Sequence, residues 1–281
     1  MMGSMCMQCY TQRPGAIARR GFLSALVAAA AAPALAQVQV GEASRMRTLV
    51  PADRIEAAST QQYAQLLEQA RQKGALAPAG HAQLERLRAI STRLIAHANQ
   101  WNDRARGWRW EVNLIGSKQI NAFCMPGGKI AVFTGLLNGL KLTDDETAMV
   151  VGHEMAHALR EHARARIGKS QTTGAALSIG AQILGLGHLG DVAANVGTQL
   201  LTLRFSREDE IDADLVGLEL AARAGFDPES SVSLWQKMGT VQGKGGPAFL
   251  STHPTGPDRQ KRLRENIPRV RGLYRQAIAG R

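Results

Sequence analysis

A chain of 281 residues is long enough for one large domain or two small ones, and hydrophobic residues make up 44% of it. Such a chain can bury a sizeable core, so the composition excludes an intrinsically disordered protein. The formal net charge is +11. The basic residues are spread along the chain without a recognisable nucleic-acid motif, so a nucleic acid is not an expected partner.

The N-terminal residues 1–36 differ from the rest and predict a signal peptide. Three arginines form a basic start, residues 22–32 are apolar, and residues 34–36 read Ala-Leu-Ala, a small-x-small cleavage sequence. The apolar run is shorter than the ~20 residues that span a bilayer, which favours cleavage over an uncleaved membrane anchor. We expect a mature chain that begins at Gln37 and is periplasmic, soluble, and able to associate peripherally with a membrane.

The N-terminal segment also bears on the export route and on the composition of the mature chain. Arg19-Arg20 followed by Gly-Phe-Leu resembles the twin-arginine export signal, but ordinary signal peptides also carry arginine pairs, so both export routes stay open. Cys6 and Cys9 leave with the signal, so the mature chain keeps only Cys124 and forms no intramolecular disulfide. Loss of three arginines and no acidic residue lowers the net charge from +11 to +8.

The next part of the chain predicts two helices and a small sheet. Residues 37–57 show little periodicity and are expected to form an extended leader. Ser59 is expected to cap a helix that ends near residue 73, and a second helix covers residues 81–99. Alternating apolar residues then predict a hairpin-rich sheet, with a turn at 116–118 and a type II turn at 125–128. The predicted strands are 110–114, 119–124 and 129–133.

A capping box marks the start of the next long helix. The Thr143 hydroxyl can accept from the third helical N–H, while the Glu146 side chain reaches back to the cap. Two further acidic residues near this end complement the helix dipole. The helix is expected to run to about Arg166, which would give its side chains a rigid support. His162 is expected on a solvated face of this helix.

The same helix carries the sequence HExxH. His153 and His157 are separated by four residues, so both imidazoles lie on one helix face and can bind a single ion, with Glu154 beside them as a base. The pattern predicts a catalytic zinc site. The alternative is an apolar helix with two satisfied surface histidines, and a third ligand elsewhere in the chain would decide between them.

Residues 170–190 contain no charged side chain and are rich in small and apolar residues. The length would suit a membrane span, but five glycines and several hydroxyl and amide side chains dilute the apolar character. We expect a partly helical flap near the active site that covers it, binds a partner or touches a membrane. His188 in this stretch is not assigned as a ligand.

A third ligand is expected from a downstream helix. Ser206 can cap this helix, with Asp209 as the reciprocal capping residue. Glu210 and Asp214 are four residues apart, so one carboxylate can bind the metal while the other orients a ligand imidazole. An acidic surface helix would look similar in isolation. Paired with an upstream HExxH, the two carboxylates favour the metal site.

These motifs together resemble a known family, the BepA-like and HtpX-like zinc metallopeptidases of metallopeptidase family 48, related to the CAAX prenyl endopeptidases. The resemblance covers residues from about 110 to 263. The matching residues are Asn121-Ala122-Phe123 with Pro126-Gly127-Gly128, HEMAH at 153–157, SREDEIDAD at 206–214, and Thr252-His253-Pro254 followed by Arg259.

The resemblance implies an α+β fold of the gluzincin type, mainly helical, with a small β-sheet beside two zinc-binding helices. It implies one zinc ion per chain, held by His153, His157 and Glu210, with Glu154 as general base. The zinc metallopeptidase domain would be residues 58–266, ending in a helix from Pro257 to about Asn266. Residues 267–281 would form a C-terminal tail.

Several further roles follow from the same motifs. His253 is expected to donate to the oxyanion or to contact the metal reversibly. Arg259 is expected to orient the loop of His253 or to pair with Asp214, which would support a ligand imidazole. One strand is expected to align an extended substrate through backbone hydrogen bonds. Its residues are Asn121, Ala122, Phe123 and Cys124.

The sequence therefore predicts an exported zinc metalloendopeptidase that cleaves unfolded or misassembled envelope proteins. Its expected partners are unfolded polypeptide substrates and outer-membrane or envelope assembly factors. One alternative is a latent or non-catalytic periplasmic chaperone or assembly factor that retains a zinc site. Another is a membrane-embedded protease, which rests on residues 170–190.

Overall fold

The computed structural model describes residues 38–172, 203–241, 248–253 and 258–280, all within one unit, Leu35–Arg281. Helices dominate and a small sheet follows the second of them, as predicted for an α+β protein. Short 3-10 helices lie at Arg45–Leu49, Ala98–Gln100 and Asp103–Gly107. The other elements are α1 Ala52–Gln72, α2 Ala82–Ile95, β1 Glu111–Ile115, β2 Ala122–Met125, β3 Lys129–Phe133, α3 Thr134–Gly139, α4 Asp144–Leu159, α5 His162–Thr172, α6 Arg207–Arg223, α7 Ser230–Thr240, α8 Ala248–Thr252 and α9 Arg259–Ala279.

The sheet has the order β1-β3-β2, with β1 parallel and β2 antiparallel to β3. The β2–β3 hairpin is as predicted: Gly127 has a φ of 84°, as a type II turn requires, and the Gly128 N–H donates to the Met125 carbonyl at 3.1 Å. The expected pairing of β1 with β2 is wrong. All five residues of β3 are buried, so β3 takes the centre and separates the two.

The start of the described chain is more helical than predicted. Helix α1 begins at Ala52, so the extended leader does not reach residue 57. Pro51, with its φ of −60°, directly precedes the helix, and Ile55 is buried in the first turns. Ser59 does not cap the helix, because its hydroxyl donates to the Ile55 carbonyl at 2.7 Å within it. Burial of the apolar face of α1 stabilises this earlier start more than the weak capping signal at Ser59 stabilises a later one.

The last helix, α9, also extends beyond its predicted end and includes most of the residues expected to form a tail. Ile267, Val270 and Leu273 recur at helical spacing and are all buried. Burial of each such side chain contributes about 1.5–3 kcal/mol. Together they outweigh the cost of about 3 kcal/mol for a proline inside a helix, here Pro268.

Helices α4 and α6 both begin with the predicted capping boxes. In α4 the Thr143 N–H donates to Glu146 Oε2 at 2.9 Å and the Glu146 N–H donates to Thr143 Oγ1 at 3.2 Å. In α6, Ser206 and Asp209 exchange the same two bonds, at 2.8 and 3.2 Å. The starts of both helices are therefore fixed by local sequence, which sets the positions of the side chains one to three turns further on.

Helices α4 and α6 pack with their backbones almost in contact. A Cβ added to Gly217 would lie 2.7 Å from the His153 backbone nitrogen, and one added to Gly152 would lie 3.0 Å from the Gly217 carbonyl oxygen. Ala156 and Ala213, also fully buried, keep the interface narrow. The small residues thus allow two polar helix faces to meet across a short gap.

Helix α4 ends at Leu159, before the predicted Arg166. Glu161 has a φ of 58°, a left-handed conformation that breaks the helix, and α5 starts at the next residue. The Glu161 carboxylate is held in place by Arg47, at 3.0 Å, and by Arg164, at 2.7 Å. Two part-buried ion pairs, one of them with the distant Arg47, therefore support a break that the local sequence does not predict.

The expected flap over residues 170–190, with His188, lies outside the described residues apart from its first three positions. Within the described parts of the chain, none of the helices is both long and apolar enough to cross a bilayer.

Gly217→Ala should destabilise the protein by about 1–3 kcal/mol, because the added methyl group would press on the backbone of α4. The matched control is Gly272→Ala in α9, where nothing lies within 4 Å of the added Cβ. That variant should gain about 0.5–1 kcal/mol from the higher helix propensity of alanine. Urea unfolding followed by circular dichroism measures both. A Gly217→Ala protein as stable as the control would contradict the close packing of the two helices.

Candidate metal centre

The two histidines of α4 meet one glutamate of α6 inside the protein. His153 and His157 are 3% and 2% exposed, and their Nε2 atoms lie 3.2 Å apart. Glu210 reaches them from across the helix pair. Its Oε2 is 3.5 Å from His153 Nε2, and its Oε1 is 3.4 Å from His157 Nε2. Three donor atoms from two helices therefore converge on one point, as the sequence predicted.

The chemistry of this cluster fits zinc. Two imidazole nitrogens and one carboxylate are the ligand set of a catalytic zinc site that keeps one open position. Burial opposes ionisation of Glu210, but its hydrogen bonds with the surrounding histidines outweigh burial and hold its pKa below the ordinary value. A charged carboxylate thus persists in a buried place where a divalent cation would satisfy all three groups.

Glu154 lies beside the cluster in the state expected of a general base. It is 3% exposed, and its Oε1 is buried without a hydrogen-bond partner among the described residues. Burial raises the pKa of this carboxyl above its ordinary value. A base whose pKa is raised toward neutrality takes and returns a proton more readily than an exposed glutamate.

Asp214 supports His153 from behind. Its Oδ1 lies 3.1 Å from His153 Nδ1, and Arg259 donates to both of its oxygens, from Nε at 2.5 Å and from Nη2 at 2.9 Å. The guanidinium also stacks over Trp235, 3.4 Å from the ring centre. Burial lowers the pKa of His153, but hydrogen bonds to Asp214 and Glu210 outweigh it and raise that pKa to about 9. A bound cation would displace this proton.

His253 is the fourth member of the cluster. Its Nδ1 lies 3.0 Å from Glu210 Oε1 and 3.3 Å from His153 Nε2, so it is within reach of the same ion. Phe249 stacks on its ring at 4.4 Å, and Phe205 lies at 5.3 Å on a tilted plane. Of the two expected roles, this position favours contact with the metal over donation to an oxyanion.

Strand β2 borders the same cleft. Residues 121–126 line it on one side, and Glu154, His157 and His253 line it on the other. Among the described residues, β2 pairs only with β3. As far as the described residues go, the other edge of β2 carries no strand and is open to an extended peptide.

The register of the hairpin shows which backbone groups face this open edge. The Asn121 carbonyl accepts from the Phe133 N–H at 3.1 Å, so inward and outward groups alternate from there. The backbone of Ala122 and Cys124 therefore points away from β3. The Cys124 thiol is buried in the core, and burial raises its pKa well above the ordinary value, so the thiol stays protonated.

Sequence reasoning missed the residues behind His157. His162 was expected to be solvated, but it is buried, with its Nδ1 3.0 Å from His157 Nδ1. Its Nε2 lies 3.1 Å from Asp212 Oδ2, which also accepts from Arg160 Nε at 2.7 Å. The break at the end of α4 turns His162 inward, so helical spacing alone gave the wrong face. Asp212 stood in the acidic motif but was given no role.

Arg259→Lys should destabilise the protein by about 3–5 kcal/mol, because a lysine cannot reach both oxygens of the buried Asp214. The exposed pair of Arg271 with Glu229 offers the control, and Arg271→Lys should cost about 0–1 kcal/mol. Chemical unfolding measures the two losses. Equal losses would contradict a structural role for the pair beside His153.

Several named metallopeptidases are similar to this chain in sequence. The chain is similar to the mitochondrial metalloendopeptidase OMA1 of Arabidopsis thaliana, 39% identical over 177 residues, or 62% of this chain and 36% of that protein. It is similar to the metalloprotease LoiP of Escherichia coli, 26% identical over 199 residues, or 69% and 75%. The beta-barrel assembly-enhancing protease of the same bacterium is 26% identical over 204 residues, or 68% and 40%.

The OMA1 proteins of Arabidopsis thaliana and the two yeasts are longer, and this chain spans about a third to a half of their length. Residues 81–267 match the sequence model of peptidase family M48. This range holds the HExxH helix, Glu210 and His253, and it covers more than half of the 281 residues. The resemblance seen in the motifs is therefore confirmed, and the chain belongs to peptidase family M48.

Proposed function

We propose that the chain is a zinc metalloendopeptidase that hydrolyses peptide bonds in unfolded or misassembled proteins of the cell envelope. The observation that carries this proposal is the placement of Glu154. Among the described residues, its Oε1 accepts no hydrogen bond and lies 3.6 Å from His253 Nε2. The side chain lines a cleft together with the ligand cluster and strand β2. A purely structural zinc site would need neither a buried base nor a substrate edge.

The ligand residues and Glu154 would have separate roles in peptide hydrolysis. His153, His157 and Glu210 would hold the ion. When bound, zinc supplies Lewis-acid polarisation of the scissile carbonyl and makes an attacking water more acidic. Glu154 takes the proton of that water and then gives it to the leaving amine. The raised pKa of Glu154 suits both steps, because the same carboxyl must accept a proton and release it.

The substrate would bind as an added strand. The Ala122 N–H donates to Asn121 Oδ1 at 3.0 Å. The outward carbonyl of Ala122 and the outward backbone groups of Cys124 can pair with an extended peptide, whose scissile bond would then lie beside the cluster. Such pairing requires several consecutive residues free of their own hydrogen bonds. Unfolded segments meet this condition and folded domains do not, which supports an unfolded polypeptide as the substrate class.

The proposed envelope location rests on the predicted signal peptide over residues 1–36 and on one bacterial relative. That relative is named for enhancing β-barrel assembly, which supports outer-membrane assembly factors as partners. The OMA1 relatives are mitochondrial by name, so the family works in more than one compartment. Export by either the general or the twin-arginine route is consistent with this proposal.

The alternative is a latent enzyme or an assembly factor without activity. One observation favours latency: His253 Nδ1 lies within the ligand cluster and could take the position that an attacking water needs. Activity of the purified chain on an unfolded protein separates the two functions. The latent state predicts zinc binding without cleavage until His253 is displaced.

Glu154→Gln should slow cleavage of an unfolded protein by about 10²–10⁴-fold, because an amide cannot accept the proton. Bound zinc should stay at about one per chain, since Glu154 is not a ligand. The measurement is digestion of a reduced, unfolded protein, with the metal quantified in each preparation.

The control for this experiment is Glu265→Gln on the exposed face of α9, which removes the same charge far from the ligands in sequence. It should cleave like the unsubstituted chain. Equal cleavage by the Glu154→Gln and Glu265→Gln proteins would refute the assignment of the base.

A further inference from the structure

His162 is a buried imidazole that the proposed reaction does not use. It is 5% exposed and lies directly behind His157, with the two Nδ1 atoms 3.0 Å apart. Its other nitrogen, Nε2, lies 3.1 Å from Asp212 Oδ2. A chain of three side chains thus runs from the ligand cluster to a carboxylate, and its middle member is a second histidine.

The hydrogen-bond partners fix where the protons lie once an ion is bound. With His157 Nε2 as the ligand atom, the proton of that ring is on Nδ1 and points at His162. His162 Nδ1 must then accept, so the proton of His162 is on Nε2 and is donated to Asp212. Arg160 Nε donates to the same oxygen of Asp212 at 2.7 Å, which keeps that oxygen an acceptor.

We propose that His162 is a positioning residue for the metal site, acting as a relay that orients His157 through Asp212. This inference rests on the proposed zinc site and adds to it. The two imidazole ligands are supported differently: His153 donates directly to a carboxylate, while His157 donates to a neutral imidazole that is itself held by one.

The break at the end of α4 makes this arrangement possible. A continuous helix would carry residue 162 away from His157, since residues five apart lie on different faces. The left-handed Glu161 redirects the chain so that α5 begins with His162 facing the cluster. The ion pairs that hold Glu161 therefore also hold the relay in place.

The test compares His162→Asn with His162→Leu in the full chain. Asparagine and leucine have nearly the same shape, but only asparagine offers an acceptor to His157 Nδ1. Zinc dissociation constants are measured by competition with a chelating dye. The leucine variant should bind zinc about 10–100-fold more weakly than the unsubstituted chain. The asparagine variant should recover most of that loss.

The outcomes separate this inference from the proposed function. If the unsubstituted chain binds no zinc, the proposed function fails. If the unsubstituted chain binds zinc and both His162 variants bind it as tightly as that chain does, only the relay is overturned. His97→Ala, which removes a half-buried imidazole outside the cluster, should leave zinc affinity unchanged.

A second measurement uses only the unsubstituted chain, so it tests the relay even if a His162 variant fails to fold. Nitrogen NMR of the zinc-loaded, unsubstituted chain should show His162 with its proton on Nε2 and its Nδ1 accepting a hydrogen bond. A proton on Nδ1 of His162 would overturn the relay.

Discussion

The burial of one carboxylate among imidazole nitrogens is the constraint on which the rest of the structure depends. Glu210 is 3% exposed, and a charge in that place is costly unless cationic and hydrogen-bonding groups surround it. The close backbone packing of α4 and α6 brings those groups within reach. The pair of Asp214 with Arg259 then keeps His153 directed at the carboxylate. The same contacts therefore hold the two helices together and position the ligand cluster.

Local signals in the sequence were sufficient to predict the histidine pair and the elements that carry it. A capping box, a type II turn and an i,i+4 histidine pair each depend on a few neighbouring residues, and each was found where predicted. The resemblance implied Glu210 as the third ligand, and the structure places its carboxylate beside both histidines. Asp214 and Arg259 lie together as one of the alternatives foresaw.

The remaining features depend on contacts between distant residues. The central place of β3 follows from burial on both of its faces, which the alternating pattern of β1 did not reveal. The inward turn of His162 follows from the left-handed Glu161, whose carboxylate pairs with Arg47, a residue that periodicity cannot bring to it. The early start of α1 and the late end of α9 follow from apolar faces that find partners only in the folded chain.

X-ray absorption at the zinc edge tests the central claim most directly, because it reports the atoms around the metal without reference to activity. The account predicts about one zinc per chain, bound by imidazole nitrogens and carboxylate oxygen, with no sulfur neighbour. Zinc on a cysteine sulfur, or a purified chain that retains no zinc, would contradict it.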